Sequence, residues 1–100
     1  MDVDVDVSAS LIQRSANQIA CDMGGEIVIL DLQSGMYYGV DLLGARIWSL
    51  IEQPASVAVI RDAIMAEYDV DAQTCERDVV TFVQQMAAAG LVDLRSAPPR

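Results

Sequence analysis

Between Asn17 and Val40 the apolar positions recur with the short period of strands. Asn17 to Met23 alternates Ile19, Cys21 and Met23 with Gln18, Ala20 and Asp22. Gly24-Gly25 is a two-residue turn signal of the hairpin kind. Glu26 to Leu32 is rich in β-branched residues and apolar at most positions, as a central strand should be. Asp31 to Gly35 supplies the next turn, with Gly35 free to take positive φ. Met36 to Val40 is the third strand; its aromatic pair suits a pleated surface, and Gly39 permits close backbone approach.

From Asp41 onward the period lengthens to that of helices. Asp41 can cap a helix over Leu42 to Glu52, where Leu43, Ile47, Leu50 and Ile51 share one stripe. Pro54 breaks it. Ser56 can cap the next helix, Val57 to Tyr68, with Val57, Ile60, Ile64 and Tyr68 on one face. Asp71 can cap a third, Ala72 to Ala89, whose stripe is Cys75, Val79, Phe82, Val83, Met86 and Ala87. Gly90 stands where a left-handed residue ends a helix, and Leu91 can pack back on the last turn.

The order βββααα predicts an α+β fold, a winged helix-turn-helix in which a three-stranded antiparallel sheet is followed by three helices. Residues 16–94 form the domain in this partition. Residues 1–15 are expected to be a flexible acidic tail and residues 95–100 a second flexible tail. The opening MDVDVDVSAS alternates like a strand, but one of its faces would carry only aspartates. A second fate for it is to fold onto the exposed edge of the third strand and compete with a ligand there.

Composition narrows the function. The 100 residues are 53% hydrophobic and suit one domain. No apolar run approaches the ~18 residues of a membrane span, and no secretory signal follows Met1, so the cytoplasm is the expected compartment. Fifteen acids against six arginines give a net charge of −9, which repels nucleic acid and anionic membranes. The chain has no histidine and no lysine, so the commonest general base and metal ligand is missing. Two cysteines, Cys21 and Cys75, are too few for a zinc site of sulfur and nitrogen ligands, and both are expected as buried thiols. No catalytic residue, no metal site and no cofactor is therefore expected, and a small acidic domain that binds a partner is. Winged-helix DNA binding fits poorly, since the third helix offers Glu76 and Asp78 against Arg77 alone.

Two stretches carry a resemblance. Gly35 to Ile51 reads GMYYGVDLLGARIWSLI, a turn, an aromatic strand and a Gly-Ala-x-Ile-Trp helix; farther on comes CERDVVTFVQQMAAAGLV, with Asp78 and Phe82. Together, over about Ile19 to Leu94, they resemble the PqqD-like family, small domains that recognise leader peptides of ribosomally made, post-translationally modified peptides. Asp41-Leu42-Leu43 departs from the Asn-containing turn common in that family, a conservative change because Asp caps a helix as Asn does. The resemblance implies a domain without catalysis. A precursor leader would lie as an extra antiparallel strand between the third strand and the third helix. The domain would then present it to a partner: a transglutaminase-like cysteine protease in lasso-peptide pathways, or a radical SAM enzyme in pyrroloquinoline quinone biosynthesis. The lasso pathway is the preferred assignment.

Elementary physics agrees with such a site. If the third strand is an edge, Met36, Tyr37, Tyr38, Gly39 and Val40 offer unpaired backbone groups that an extended peptide satisfies. Tyr37 and Tyr38 must point to opposite faces, and the sequence does not say which faces the groove. Val79 and Phe82 stand on the apolar stripe of the third helix, as core or groove wall. Arg77, Asp78, Thr81 and Gln85 complete the candidate peptide-binding set, Arg77 to meet an acidic side chain of the leader and Asp78 a backbone amide or a basic one. An adaptor that homodimerises through the same strand edge is the competing use of this surface.

Overall fold

The three strands and three helices expected between Asn17 and Ala89 all form, each end within two residues of its expected place. The structure, a computed structural model, describes residues 10–24 and 26–96. In chain order the elements are β1 (Ser10–Arg14), β2 (Gln18–Asp22), β3 (Ile27–Asp31), β4 (Tyr37–Val40), α1 (Leu42–Leu50), β5 (Ala55–Ser56), α2 (Val57–Glu67), α3 (Ala72–Ala88) and β6 (Val92–Ser96).

Local chemistry sets the helix ends. Asp41 Oδ1 accepts from Gly44 N at 2.8 Å, Ser56 Oγ from Val59 N at 3.2 Å and Asp71 Oδ1 from Thr74 N at 2.7 Å, so all three expected caps are made. Each cap contributes about 1 kcal/mol. At the end of α3, Gly90 takes φ 78° while Leu91 N donates to Met86 O at 2.9 Å and Gly90 N to Ala87 O at 3.0 Å. That pair of bonds satisfies carbonyls the helix leaves open, and it turns Leu91 into the core at 0% exposure.

The strands form two antiparallel three-stranded sheets rather than one. Order β2-β3-β4 is the expected sheet. The second, β5-β1-β6, lies where tails were expected and corrects both tail boundaries: Ser10 to Arg14 pairs with Val92 to Ser96 on one side and with Ala55 and Ser56 on the other. The reason is a single well-buried anchor. Ile12 is 0% exposed and joins Val92 and Ala55 in the core, so pairing the ends of the domain removes apolar surface that neither end could bury alone. The Asp-Val stretch before Ser10 and the four residues after Ser96 lie outside the described residues.

One hydrophobic core joins both sheets and all three helices, from Ile12 and Ile29 through Ile47, Trp48 and Ile60 to Val79, Val83 and Leu91. Trp48, 1% exposed, is structural. Arg14 closes over it, its guanidinium 4.8 Å from the ring centroid while Nε donates to the Trp48 carbonyl at 3.1 Å. This contact ties β1 to α1.

The β2-β3-β4 sheet buries one face only. Ile29 and Tyr38, directly paired, point to the core, as do Ile27 and Val40. The intervening rows, Ile19–Leu30–Tyr37 and Cys21–Val28–Gly39, point away. The expectation of two buried thiols is thus half corrected: Cys75 is buried and Cys21 exposed, because Cys21 sits on the outward row of β2.

Candidate peptide-binding site

β4 is an edge strand: among the described residues it pairs with β3 and with no strand on its other side. Register decides which of its backbone groups are open. Asp31 N donates to Met36 O at 2.9 Å, so Met36 faces β3. In an antiparallel ladder bonded and non-bonded pairs alternate. Tyr38 and Val40 therefore also turn their N–H and C=O groups toward β3, and Tyr37 and Gly39 turn theirs to the open side. Two donors and two acceptors stand ready for an added strand.

The turn before β4 fixes this edge. Asp31, 8% exposed, accepts from Gln33 N at 3.0 Å and from Ser34 Oγ at 2.9 Å, and Gly35 N donates to Asp31 O at 2.7 Å with φ 76° at Gly35. Ser34 Oγ in turn accepts from Met36 N at 3.2 Å.

A cleft runs beside the open edge, between β4 and the C-terminal half of α3. Tyr38, Gly39, Val40, Asp41, Phe82, Gln85, Met86 and Ala89 line about 330 Å³ of it. A second compartment of about 290 Å³ continues along α3, sharing Asp41, Phe82 and Gln85 with the first and adding Leu43, Gly44, Ile47, Asp78 and Thr81. A third, nearly all apolar and about 300 Å³, follows between the three helices, lined by Leu42, Leu43, Ile64, Tyr68, Val70, Cys75, Asp78 and Val79. Burial raises the Cys75 thiol above its ordinary pKa, so it stays protonated and acts there as a small apolar group.

Phe82 stands at the junction of the first two compartments. It is half-buried, packed on the core and open to the cleft, so it serves both of the roles open to it in the sequence. The cleft has this shape because α1 begins with a glycine at its third residue: a Cβ on Gly44 would lie 2.7 Å from Phe82 Cε1 and 3.1 Å from Val40 Cβ. In the sequence Gly44 stands only as the first residue of the Gly-Ala-x-Ile-Trp motif, with no role in the site; its further signal was a glycine inside an apolar helix, where it costs stability and so needs a packing reason. Met86, placed by the sequence on the apolar stripe of the third helix, and Ala89, given there only as the end of that helix, also line the first compartment.

The other candidates separate. Tyr38, Gly39, Val40, Phe82 and Gln85 come together in the first compartment, and Asp78 and Thr81 join at the second. The two tyrosines divide as adjacent strand residues must, Tyr38 to the groove and Tyr37, 70% exposed, to the outer face. Met36 precedes β4 and is exposed. Val79 is 0% exposed and is core, reaching only the third compartment. Arg77 lies outside the cleft, on the flank of α3 with Gln73, Glu76 and Val80; its side chain is 73% exposed and lies 3.8 Å from Asp78.

Among the described residues no cluster of His, Cys, Asp and Glu is placed to hold a metal ion, and no described helix is long and apolar enough to cross a membrane.

A family model described as Coenzyme PQQ synthesis protein D (PqqD) matches residues 26–92. No curated protein matches the chain. Among solved structures the chain is similar to TbiB1 in complex with the TbiA(beta) leader peptide, with a TM-score of 0.77 and 41% identity over 81% of this chain and 94% of that one. It is also similar to a lasso peptide synthetase B1 complexed with the leader peptide, with a TM-score of 0.75 over 82% of this chain and 96% of that one; at 22% identity that likeness shows the shared fold.

Proposed function

The chain belongs to the PqqD family, and on that premise we propose that it binds the leader segment of a ribosomally made precursor peptide as an added antiparallel strand on β4. It then delivers the leader to a processing enzyme and catalyses nothing itself. The observation that carries this reading is the open edge of β4 lying directly over a cleft walled by Phe82. The 41% identical TbiB1, solved with a leader peptide, supports it.

The energetics say what each part does. Four backbone hydrogen bonds, at ~0.5–1.5 kcal/mol net each or ~2–6 kcal/mol together, offset at most the lower end of an association cost of ~4–15 kcal/mol. They fix direction and register and leave little affinity over. Each apolar side chain filling a compartment adds ~1.5–3 kcal/mol. Affinity and specificity therefore come from the cleft. A strand antiparallel to β4 has its N-terminal end near Val40, so residues upstream of the strand run toward the second and third compartments.

A lasso-type cysteine protease is the partner we assign, following the resemblance carried by the Gly35 to Ile51 and Cys75 to Val92 stretches. The family match alone would equally suit a radical SAM peptide-modifying enzyme of the pyrroloquinoline quinone kind. Self-association through the β4 edge competes for the same backbone groups, so it should weaken as leader is added.

Fluorescence polarisation with a labelled TbiA(beta) leader peptide tests the reading. Saturable binding is expected, and it should be lost when the peptide nitrogens facing Tyr37 and Gly39 are methylated. No binding, or binding indifferent to backbone methylation, overturns it.

A further inference from the structure

Gly39 has no reason within this fold to be glycine. Gly24, Gly35 and Gly90 take positive φ, and Gly44 makes room for Phe82, but Gly39 has neither justification. Among the described residues, a Cβ built on it meets no atom within 4 Å beyond its own chain neighbours. A glycine inside a strand weakens that strand, so the position loses stability and gains nothing from its own chain.

What the missing side chain leaves open is defined by register. Gly39 pairs with Val28, and Val28 with Cys21, on the outward face of the sheet. Tyr37, two residues back on the same face, is 70% exposed. Gly39 is also one of the two residues whose N–H and C=O point to the open edge. In an antiparallel ladder the residue opposite such a position exchanges both hydrogen bonds with it, and the two side chains emerge on the same face. A residue of an incoming strand opposite Gly39 therefore projects onto the outer face, over the gap.

We propose that Gly39 is a specificity-determining residue of the peptide site: it clears the outer face of β4 for one bulky apolar or aromatic side chain of the bound strand. This rests on the strand-addition reading above. The side chain lies over Gly39 against Val28 and Tyr37, which supply apolar walls. Such cross-strand cover of a glycine by a large side chain shields the backbone bonds beneath it. The next residue of the ligand, opposite Tyr38, turns the other way into the cleft against Phe82. The ligand so recognised carries adjacent large apolar residues, one for each face of the sheet, instead of a simple apolar–polar alternation.

The labelled TbiA(beta) leader peptide and its single-alanine series are titrated against the wild type, Gly39→Ala and Gly39→Val. Both variants should melt no lower than the wild type, because nothing occupies the space a Cβ would take. Affinity for the parent peptide should fall about three- to tenfold in Gly39→Val, and less in Gly39→Ala. One peptide position, outward-facing in the strand, should matter to the wild type and cease to matter to Gly39→Val. The proposal is overturned if Gly39→Val binds the whole series as the wild type does, or weakens every peptide equally. Wild-type binding that is sensitive to backbone methylation but indifferent to Gly39→Val sinks this inference and spares strand addition. No wild-type binding sinks both.

Discussion

The molecule has two three-stranded antiparallel sheets of nearly equal size, and they are treated in opposite ways. In β5-β1-β6 the middle strand, β1, pairs with β6 from the other end of the domain and with the two-residue β5, and Ile12 at its centre is sealed from solvent. In β2-β3-β4 the middle strand is sealed just as well, at Ile29, yet the outer face and the β4 edge stay open. The difference is a division of labour. The first sheet closes the fold, and the second keeps unpaired backbone and apolar surface that a free-standing domain would normally cover. Substitutions should separate the two: losses of stability from the first, losses of ligand from the second.

The largest effect is expected at Ile12. Ile12→Ala removes a fully buried side chain from the strand that holds both chain ends, at a cost of about 2–5 kcal/mol in chemical denaturation. For a domain of this size that is a large share of the total stability. Under conditions where the variant remains folded, its affinity for the leader peptide should equal that of the wild type. An Ile12→Ala protein of unchanged stability would mean that β1 is no part of the cooperative core. Phe82→Ala should show the reverse balance. Loss of one filled apolar contact predicts a fall in leader affinity of roughly 10- to 100-fold. The half-buried ring should lower the denaturation midpoint less than Ile12→Ala does. A Phe82→Ala variant that binds normally would remove the cleft from the recognition surface.

The same contrast explains what could be read in the chain beforehand. The β2-β3-β4 sheet and the helices announce themselves locally: turns at Gly24 and Gly35, caps at Asp41, Ser56 and Asp71, a helix end at Gly90. The other sheet has no such signals. Its β5 is only two residues long, and its pairings join residues as far apart as Ser10 and Ser96. Pairing over that separation follows from burial in the finished core, which no local pattern displays. The site was legible to the same extent. Periodicity left open whether Tyr37 or Tyr38 faces the groove, while Val40 and Phe82 follow from it. Gly44 does not, because its role is a tertiary approach to Phe82. Nor does the inverted outlook of Ile19 and Met23, whose alternation marks a strand without saying which row faces the core.

A smaller effect concerns charge beside the second sheet. Arg61 is held at 2.8 Å by Glu76 and at 3.1 Å by Asp62, whereas Arg77 stands 3.8 Å from Asp78, is far more exposed and keeps its charge available to an acidic segment passing Asp78. Arg77→Glu should therefore weaken leader binding more than Arg61→Glu, by about two- to fivefold at low ionic strength, since exposed pairs contribute at most ~1 kcal/mol. The gap should close in high salt. Equal effects of the two reversals would place the leader away from that flank of α3.

The smallest effect lies in the helices that join the two sheets. Arg46 on α1 holds Glu67 at the end of α2, with Nε donating at 2.8 Å, and this hydrogen bond lowers the Glu67 pKa from its ordinary 4.5. Asp71, which caps α3, is lowered in the same way by the Thr74 hydroxyl and N–H. A carboxylate with a depressed folded pKa stabilises the fold above its unfolded value, and that contribution is lost as pH falls through the folded one. Both contributions are thus complete at neutral pH and fade only in the acid range below about 4.5. Both groups are exposed to solvent, so the effect is modest. Glu67→Gln should leave the stability at pH 7 slightly lower and flatten the acid limb, while Asp71→Asn, which keeps the cap, should flatten it without much loss at pH 7. Because the Arg46–Glu67 pair ties two helices of the one core that both sheets share, acid should not uncouple the two regions. Fluorescence of the buried Trp48 and binding of the leader peptide should fail together as pH drops. Loss of binding well before loss of the Trp48 signal would show that the open sheet can unravel while the closed one stands.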